Sequence, residues 1–530
     1  MVPNFEECRS VMSAKKCNLS LNHISILKVK SLLRDLKGSK CVSMDSLDCY
    51  CIKMSLSMIA KPVHHIITLS IMQSKFPSLW KLSKIVPVHK KGSPIDVKNY
   101  RPIAILSPLG KVIEKAVYTQ IYCYFTANKL FHPNLHGFRR NRSTQTALIQ
   151  MHDRWVKAAE LGQVTGIILL DLSVAFDLVN HKILLKKLQI YGLDVGILTW
   201  IESYLTGRKQ SVWVDHCFSP LLDTNVGVPQ GSNLGPLFFL IYFNDLLYSV
   251  DCNIDAYADD STISLSDFSV NVINKKLTEK CAAVSSWMKE NRLKLNPEKT
   301  HGILVGTNTR VNKVTEPLKV FIDNIQVSEN DSRCEKLLGI QVEHNLKWHK
   351  ALSDLQIKLK NRLAGLSKLR YIVPFKTLKA VLEGIFGSVM LYCLPLIGGF
   401  SKTEINNLQI LQNRAAQVIT RQPPRSNRDA MYDKLDWLSV NLWVSYHTLL
   451  QVHRVRYNQE PEYLYRHLGG NGRSSRIPIP RLSLTLTKES FMYRGAHLWN
   501  SIPSRIRQKE EIASFKMELK EWIKENISRF

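Results

Sequence analysis

The 530-residue sequence offers no cysteine pair at zinc-site spacing. Its eleven cysteines are scattered, Cys49 and Cys51 form the only close pair, and no second pair answers them, which speaks against a tetrahedral zinc site. No spacing suggests a disulfide framework, so a reducing compartment is expected. The opening residues, Met1 to Ser10, lack the charged-then-apolar layout of a secretory signal, so the chain is not expected to be secreted. Long apolar runs are missing too. The most lipid-like stretch, Ile385 to Phe400, is short for a span, contains Gly and Pro, and follows Glu383. It reads as a buried helix, with no membrane as partner. No internal repeat is evident, which speaks against a repeat array. Acidic residues are the scarce charge: 44 Asp plus Glu stand against 72 Lys plus Arg, a net +28. A surface this basic repels itself unless a polyanion neutralises it, so nucleic acid is the first partner to consider. Apolar residues make up 45%, enough to bury a sizeable core.

Along the chain, residues 1–65 read as a helical extension with a cysteine-rich, turn-like stretch near Ser39 to Cys51. From 66 to 343, strand-like apolar runs alternate with helical segments and Pro/Gly turns, the pattern of an α/β or α+β core. Residues 344–422 read as helical. There Ser401 and Glu404 make a capping-box pair ahead of Ile405, Leu408, Leu411, Ala415, Val418 and Ile419 on one face. Pro423-Pro424 breaks that helix. Residues 423–530 begin a tail in which Gly469 to Pro480 reads as a mobile basic linker. The tail closes on an amphipathic helix with Phe515, Leu519, Trp522, Ile523 and Ile527 on one face.

Three elements carry chemistry. In GIILLDLSVAFD, Gly166 to Asp177, the apolar run Ile167–Leu170 is short enough for a buried strand, and Asp171 comes where it stops. A carboxylate at the end of a buried strand emerges at the edge of the core, where it can hold a cation without being stranded in apolar surroundings. In DAYADDSTISL, Asp255 to Leu265, Ala258-Asp259-Asp260 reads as the tip of a hairpin. Adjacent Asp residues repel unless a cation sits beside them. Alone, such a pair is usually a solvated turn; joined with Asp171 it is a candidate site for Mg²⁺. That ion takes hard oxygen ligands and keeps several waters. Two such ions, roughly 3.5–4 Å apart, can activate a 3′-hydroxyl and stabilise a leaving pyrophosphate. In-line phosphoryl transfer asks mainly for positioning and charge neutralisation. Between these elements, Asn225 to Leu246 holds Gly227, Pro229, Gly231, Gly235 and Pro236 in a constrained loop, with Leu237 to Leu247 continuing as an apolar helix. Small residues there allow close approach by a base or sugar, and Gln230 offers both donor and acceptor. The plain alternative is a packed loop before a core helix.

Residue type, order and context of these three elements resemble the palm motifs of reverse transcriptases, specifically those of non-LTR (LINE-type, jockey-like) retrotransposons. DLSVAFD resembles the first catalytic motif, VPQGSNLGP the nucleotide-pocket motif and YADD the signature hairpin. Upstream, FPSLWKLSKIVPVHKKG and NYRPIAILSPLGKVIEK are similar to the fingers, and HGFRRNRST to the basic template-side motif. Downstream, WMKENRLKLNPEKT, LLGIQVEHNLKW, LQILQNRAAQVIT and FMYRGAHLWNSIPSRI resemble the post-hairpin motif, primer grip, thumb and tail. The likeness runs from about residue 60 to the end.

The resemblance implies an α+β right-hand polymerase with fingers, palm and thumb, a ferredoxin-like palm sheet and a helical C-terminal region. It places fingers and palm at 66–343 and a thumb-like region at 344–422. It implies RNA-directed DNA polymerase activity on an RNA template, a DNA primer and dNTPs, with two Mg²⁺ ions (Mn²⁺ being an alternative). Asp171, Asp259 and Asp260 take the metal-binding roles. Phe176 becomes a steric gate beneath the incoming sugar, core packing being the plain alternative. Gln230 contacts the incoming nucleotide. Arg101 and Lys91 become triphosphate contacts, a task suited to Arg's planar fork, against a solvated basic loop. Lys299 is a candidate general acid for pyrophosphate, against an ordinary solvated lysine. Arg139, Arg140 and Arg142 would grip template backbone through sequence-tolerant, salt-sensitive contacts. Two positions depart from the pattern: Val174 stands where many relatives have Lys, and Leu135 where many have Gln.

An element RNA in a ribonucleoprotein, shared between cytoplasm and nucleus, is the expected setting. The palm begins too early to leave room for an N-terminal endonuclease, only Cys393 lies beyond Cys334 so a zinc knuckle is absent, and no RNase H carboxylate set is visible in the tail. The chain therefore reads as one part of an element, a truncated genomic copy, or a piece of a longer reading frame. The competing readings are a decayed or domesticated RNA-binding copy, and an RNA-dependent RNA polymerase or intron maturase sharing the palm.

Overall fold

Strands and helices interleave along the chain in a mixed α+β architecture. The structure is a computed structural model and describes all residues except 1, 2, 4, 14–16, 39–40, 330–332, 400, 470–475 and 527–530. The central part of the expected basic linker therefore lies outside the described residues, as does Ile527 of the closing helix. Contacts divide the chain into two compact units, each drawn from separate stretches. The first comprises Met1–Phe138, Asp171–Ser261 and Lys280–Pro297; the second comprises Arg139–Leu170, Thr262–Glu279 and Glu298–Phe530.

The strands that matter for the site are β1 (Leu82–His89), β2 (Tyr100–Ile105), β3 (Val164–Leu170), β4 (Leu172–Ser173), β5 (Arg208–Val214), β6 (Cys217–Phe218), β7 (Leu222–Thr224), β8 (Asn253–Tyr257), β9 (Asp260–Asp267), β10 (Lys294–Leu295) and β11 (His301–Val305). In the first unit, β2-β1-β5-β6 form a sheet, with β7 also pairing β5. The strands β1 and β2 are antiparallel with Ile85 opposite Ala104, whereas β1 and β5 run parallel with Leu82 opposite Lys209. Alternation along β1 turns Ser83 and Ile85 inward, where Ile85, Ala104 and Leu106 make a small core.

The helix Leu234–Phe243 is apolar on every side and buried on every side, as a helix at the centre of a unit must be. Aromatic rings fill the space around it: Phe76 meets Trp200 and Tyr204 edge-on at 5.6 and 5.0 Å. Within the same unit Lys187 is fully buried. Its ammonium donates to the Asp245 carboxylate at 2.6 Å and to the Tyr242 carbonyl at 2.7 Å, satisfying a charge that could not otherwise leave water. Among its described residues the N-terminal region holds the helices Glu6–Ser13, Ile26–Arg34, Cys49–Met54 and Leu56–Met72.

In the second unit β3 is flanked by antiparallel β11, with Ile303 opposite Ile167. Helices make up most of the rest. The Ser401–Glu404 capping box forms as expected, starting the helix Lys402–Thr420, which buries Leu408, Leu411, Ala415, Val418 and Ile419. Arg421 ends it in the left-handed region, two residues before the proline pair. The closing helix, Ile512–Glu525, buries Phe515, Leu519, Trp522 and Ile523. The stretch after Glu383 is not the single buried helix its apolarity suggests. A π-helical turn Glu383–Gly387, then Ser388–Met390, then Leu394–Ile397 succeed one another, broken by Cys393 at φ 53° and by Pro395. Among the described residues no helix is long and apolar enough to cross a membrane.

Candidate active site

Strand β3 is buried along almost its whole length, and Asp171 is the first residue past it. Its backbone is held at once: its carbonyl accepts from the Asn296 amide at 2.9 Å, and β4 then pairs with β10, Leu172 opposite Leu295. Tyr257 ends β8 and Asp260 begins β9, so the hairpin loop is only Ala258-Asp259. Asp260 is thus the first residue of the return strand and not part of the tip itself. Of the two loop residues only Ala258 has positive φ, 59°, the sign pattern of a type II′ hairpin turn. Glycine usually takes that position; alanine there costs about 1 kcal/mol.

The carboxylates meet electrostatically. Asp259 and Asp260 are exposed and Asp171 is half-buried. The Asp260 carboxyl is pushed above its ordinary range, first by the protein mass around it, then by the charges of Asp259 and Asp171, with Lys90 opposing them. Crowded like charges of this kind are relieved by a cation, and three carboxylates form the hard-oxygen donor set that suits Mg²⁺. The residues present therefore fit such an ion. Among the described residues, no three His, Cys, Asp or Glu side chains are drawn up as a ready ligand shell.

The hairpin is braced from behind by the residues before the basic motif. Asn134 and His136 exchange backbone hydrogen bonds with Ala256 at 3.0 and 2.8 Å. Leu135, fully buried, forms the bridge to Ala256, which explains why an apolar residue serves at this position. His136 Nε2 stands 3.8 Å from the Asp255 carboxylate, both side chains buried. Gly137 is in closest contact: a Cβ there would fall 2.3 Å from the Ala258 nitrogen. Nothing in the sequence alone ties these residues to the hairpin.

Phe176 sits on the short 3₁₀ turn Ala175–Leu178. Its half-buried ring stacks on Phe239 at 4.6 Å and meets Phe138 edge-on at 6.0 Å. Val174, just before it, is exposed and left-handed at φ 46°, ψ 42°, an uncommon state for a β-branched residue. The Phe176 carbonyl accepts from the Val228 amide at 2.9 Å, so the pocket loop lies directly along this segment. Gly227, at φ +81°, makes that possible, since a Cβ would lie 2.7 Å from the Asp177 carbonyl oxygen. The small residue thus accommodates the chain's own backbone, where the sequence suggested a base or sugar. Gln230 Nε2 donates to both carboxylate oxygens of Asp177, at 2.9 and 3.0 Å. Burial pushes the Asp177 carboxyl upward, and the Gln230 bond partly offsets it. Beside the pair opens a cleft of about 420 Å³, lined by Pro102, Asp177, Arg208, Gln210, Val228 and Gln230 among others. Buried Glu114 anchors the far end of the loop, accepting from the Asn233 amide at 2.6 Å and from the Tyr204 hydroxyl at 3.2 Å.

The basic candidates divide. Arg101 lies exposed on β2 opposite Val88, and Lys91 is exposed just past β1. Lys90 is the lysine whose charge reaches Asp260; its neighbour in the HKKG run was the one singled out from sequence. Lys299 is exposed in the turn Pro297–Lys299. In the second unit, Arg142 Nε donates to Glu460 at 2.8 Å and Arg139 lies 3.6 Å from the same carboxylate, with side chains only 2% and 7% exposed. These two guanidinium groups are turned inward onto Glu460. An acidic partner 318 residues away takes Arg142. Arg140 is the exposed member of the three.

Residues 88–342 match the family described as Reverse transcriptase (RNA-dependent DNA polymerase). That segment is similar to a reverse transcriptase domain. Asp171, Phe176, Gln230, Asp259 and Asp260 all fall inside it. The proteins that the chain matches come from transposable elements. The chain is 26% identical over 457 residues to the probable RNA-directed DNA polymerase from transposon BS of Drosophila melanogaster, covering 82% of this chain and 49% of that protein. It is 26% identical over 483 residues to the RNA-directed DNA polymerase from mobile element jockey of the same species, covering 87% and 51%. It is 29% identical over 360 residues to the Pol polyprotein from type-1 retrotransposable element R1 of Bradysia coprophila, covering 66% and 34%. The chain spans about half the length of the jockey and BS relatives.

Proposed function

We propose that this chain is an RNA-directed DNA polymerase that adds dNTPs to a primer 3′-hydroxyl on an RNA template. One observation carries the proposal: the matched segment 88–342 holds Asp171 at the end of a buried strand and Asp259 and Asp260 at the turn of a hairpin. Asp171, Asp259 and Asp260 would hold Mg²⁺, or Mn²⁺ in its place, which when bound supplies Lewis acidity for in-line phosphoryl transfer. The chain's own residues do the rest. Phe176, fixed by Phe239 and Phe138, serves as the steric gate that selects a deoxyribose. Gln230 binds the incoming nucleotide. Lys90, with the exposed Lys91 and Arg101, draws the triphosphate toward the carboxylates.

In the right-hand reading, the β2-β1-β5 sheet serves as fingers, the β8–β9 hairpin belongs to the palm, and the helical region 344–422 acts as the thumb. Arg140, exposed in its run, serves as the template contact. The setting is a ribonucleoprotein with the element's own RNA, in cytoplasm and nucleus. Primer extension on RNA with Mg²⁺ and dNTPs tests the reading. Wild-type protein should extend the primer and Asp259→Ala should abolish extension. RNA binding without extension under either metal would identify a decayed, RNA-binding copy instead.

A further inference from the structure

Asp177 closes the first catalytic segment, six residues past Asp171, and is half-buried against the pocket loop. Its side chain is engaged by the pocket loop. Both of its oxygens accept from one atom, Gln230 Nε2, at 2.9 and 3.0 Å. Glutamine's terminal amide is ambivalent: one end donates, the other accepts, and rotation by half a turn exchanges them. An ionised carboxylate only accepts. A carboxylate fixed on one side therefore holds the NH₂ end and forces the oxygen to the other.

The local backbone makes the arrangement rigid. The Gly227 amide donates to the Val179 carbonyl and the Val228 amide to the Phe176 carbonyl, both at 2.9 Å. The Gln230 carbonyl accepts from the Ala104 amide on β2 at 2.8 Å. The loop is thus tied to the Phe176–Val179 segment on one side and to the sheet on the other. The backbone of Gln230 is thereby held, and the two bonds to Asp177 fix the end of its side chain.

We infer that Asp177 is a positioning residue of the nucleotide site: it fixes the amide of Gln230 so that its oxygen is presented to a donor on the incoming nucleotide. This rests on the proposed polymerase reading and adds to it a residue that acts through Gln230. Asp177→Asn is the informative variant, because it keeps shape but can accept or donate and so no longer dictates the orientation of its partner.

In steady-state single-nucleotide incorporation on primed RNA, Asp177→Asn should raise KM for dNTP about tenfold while kcat moves less than threefold, a split that general loosening of the fold would not produce. In a Gln230→Ala background, Asp177→Asn should add no further change in KM, because its effect runs through Gln230. An unchanged KM in Asp177→Asn, or effects of the two substitutions that multiply, would overturn the inference. Failure of wild-type protein to incorporate any nucleotide would count against the polymerase reading instead. The pair can be tested even then: thermal unfolding of the same four proteins without nucleotide should show non-additive shifts in Tm, and strictly additive shifts would overturn the pairing itself.

Discussion

Gly137 lies against the YADD hairpin so closely that one methyl group on it would come within 2.3 Å of the Ala258 amide nitrogen and 3.0 Å of the Ala258 Cα. Backbone cannot yield there as the end of a flexible side chain could. Gly137→Ala should therefore push the tip carrying Asp259 out of register. A displacement near 1 Å at a reacting centre costs about 100-fold in rate. Primer extension should fall by that order, while RNA affinity, measured by filter binding, stays within about threefold because phosphate contacts tolerate such shifts.

Phe176 is held by stacking on Phe239 and edge contact with Phe138. Removing the ring in Phe176→Ala should raise rNTP incorporation relative to dNTP by roughly 10- to 100-fold, the scale on which a shaped pocket rejects one small group. The measurement is the ratio of kcat/KM values for matched rNTP and dNTP. An unchanged ratio would assign Phe176 to core packing.

Lys187 and Asp245 form a pair with almost no solvent exposure, reinforced by the Trp287 indole N–H, which donates to Asp245 at 3.3 Å. Asp245→Ala would leave a buried ammonium without its counter-charge and should cost about 3–5 kcal/mol in urea unfolding. Replacing both, as Lys187→Met with Asp245→Leu, should cost much less, because the desolvation of two ions disappears together with their attraction.

Glu160, at the end of the helix Thr144–Glu160, accepts from the Ser483 amide and hydroxyl at 2.6 Å each, the Leu484 amide at 3.2 Å and the Thr487 hydroxyl at 2.6 Å. Burial alone would raise its pKa, but these donors outweigh it and hold the group at about 2. An unfolded glutamate titrates near about 4.3. The stabilisation is thus complete above that value and is lost as pH falls toward 2. Glu160→Gln should flatten this acid limb in a plot of Tm against pH and leave the protein less stable at neutral pH. Identical acid limbs for both proteins would contradict the role.

Arg140 and Arg142 should behave differently despite adjacent places in one basic run. Arg140→Ala should lower the salt slope of RNA binding by about 0.7, one phosphate contact on a single strand. Arg142→Ala should leave that slope unchanged and lower Tm, since its guanidinium is committed to Glu460.

Much of this protein is legible locally. A short apolar run that stops at Asp171 reads as a buried strand with a carboxylate at its edge, and β3 is that strand. The Ser401–Glu404 pair announces a helix start, and Pro423-Pro424 its end, because capping and the missing proline amide act within a turn or two of chain. The apolar stretch after Glu383 misled for the converse reason. Composition reports burial, whereas the left-handed Cys393 and the following Pro395 decide that the buried segment is broken.

Sequence by itself determined which side chains could do chemistry, since carboxylates, a ring and an amide keep their character wherever the fold places them. Tertiary structure alone decided their employment. Arg142 meets Glu460 across 318 residues, Gln230 meets Asp177 across 53, and Gly137 meets a hairpin more than a hundred positions further on. Such pairings leave no trace in local spacing. They depend on where independent elements come to rest, and that is set by the burial of apolar faces well away from the charged and polar groups that the packing brings together.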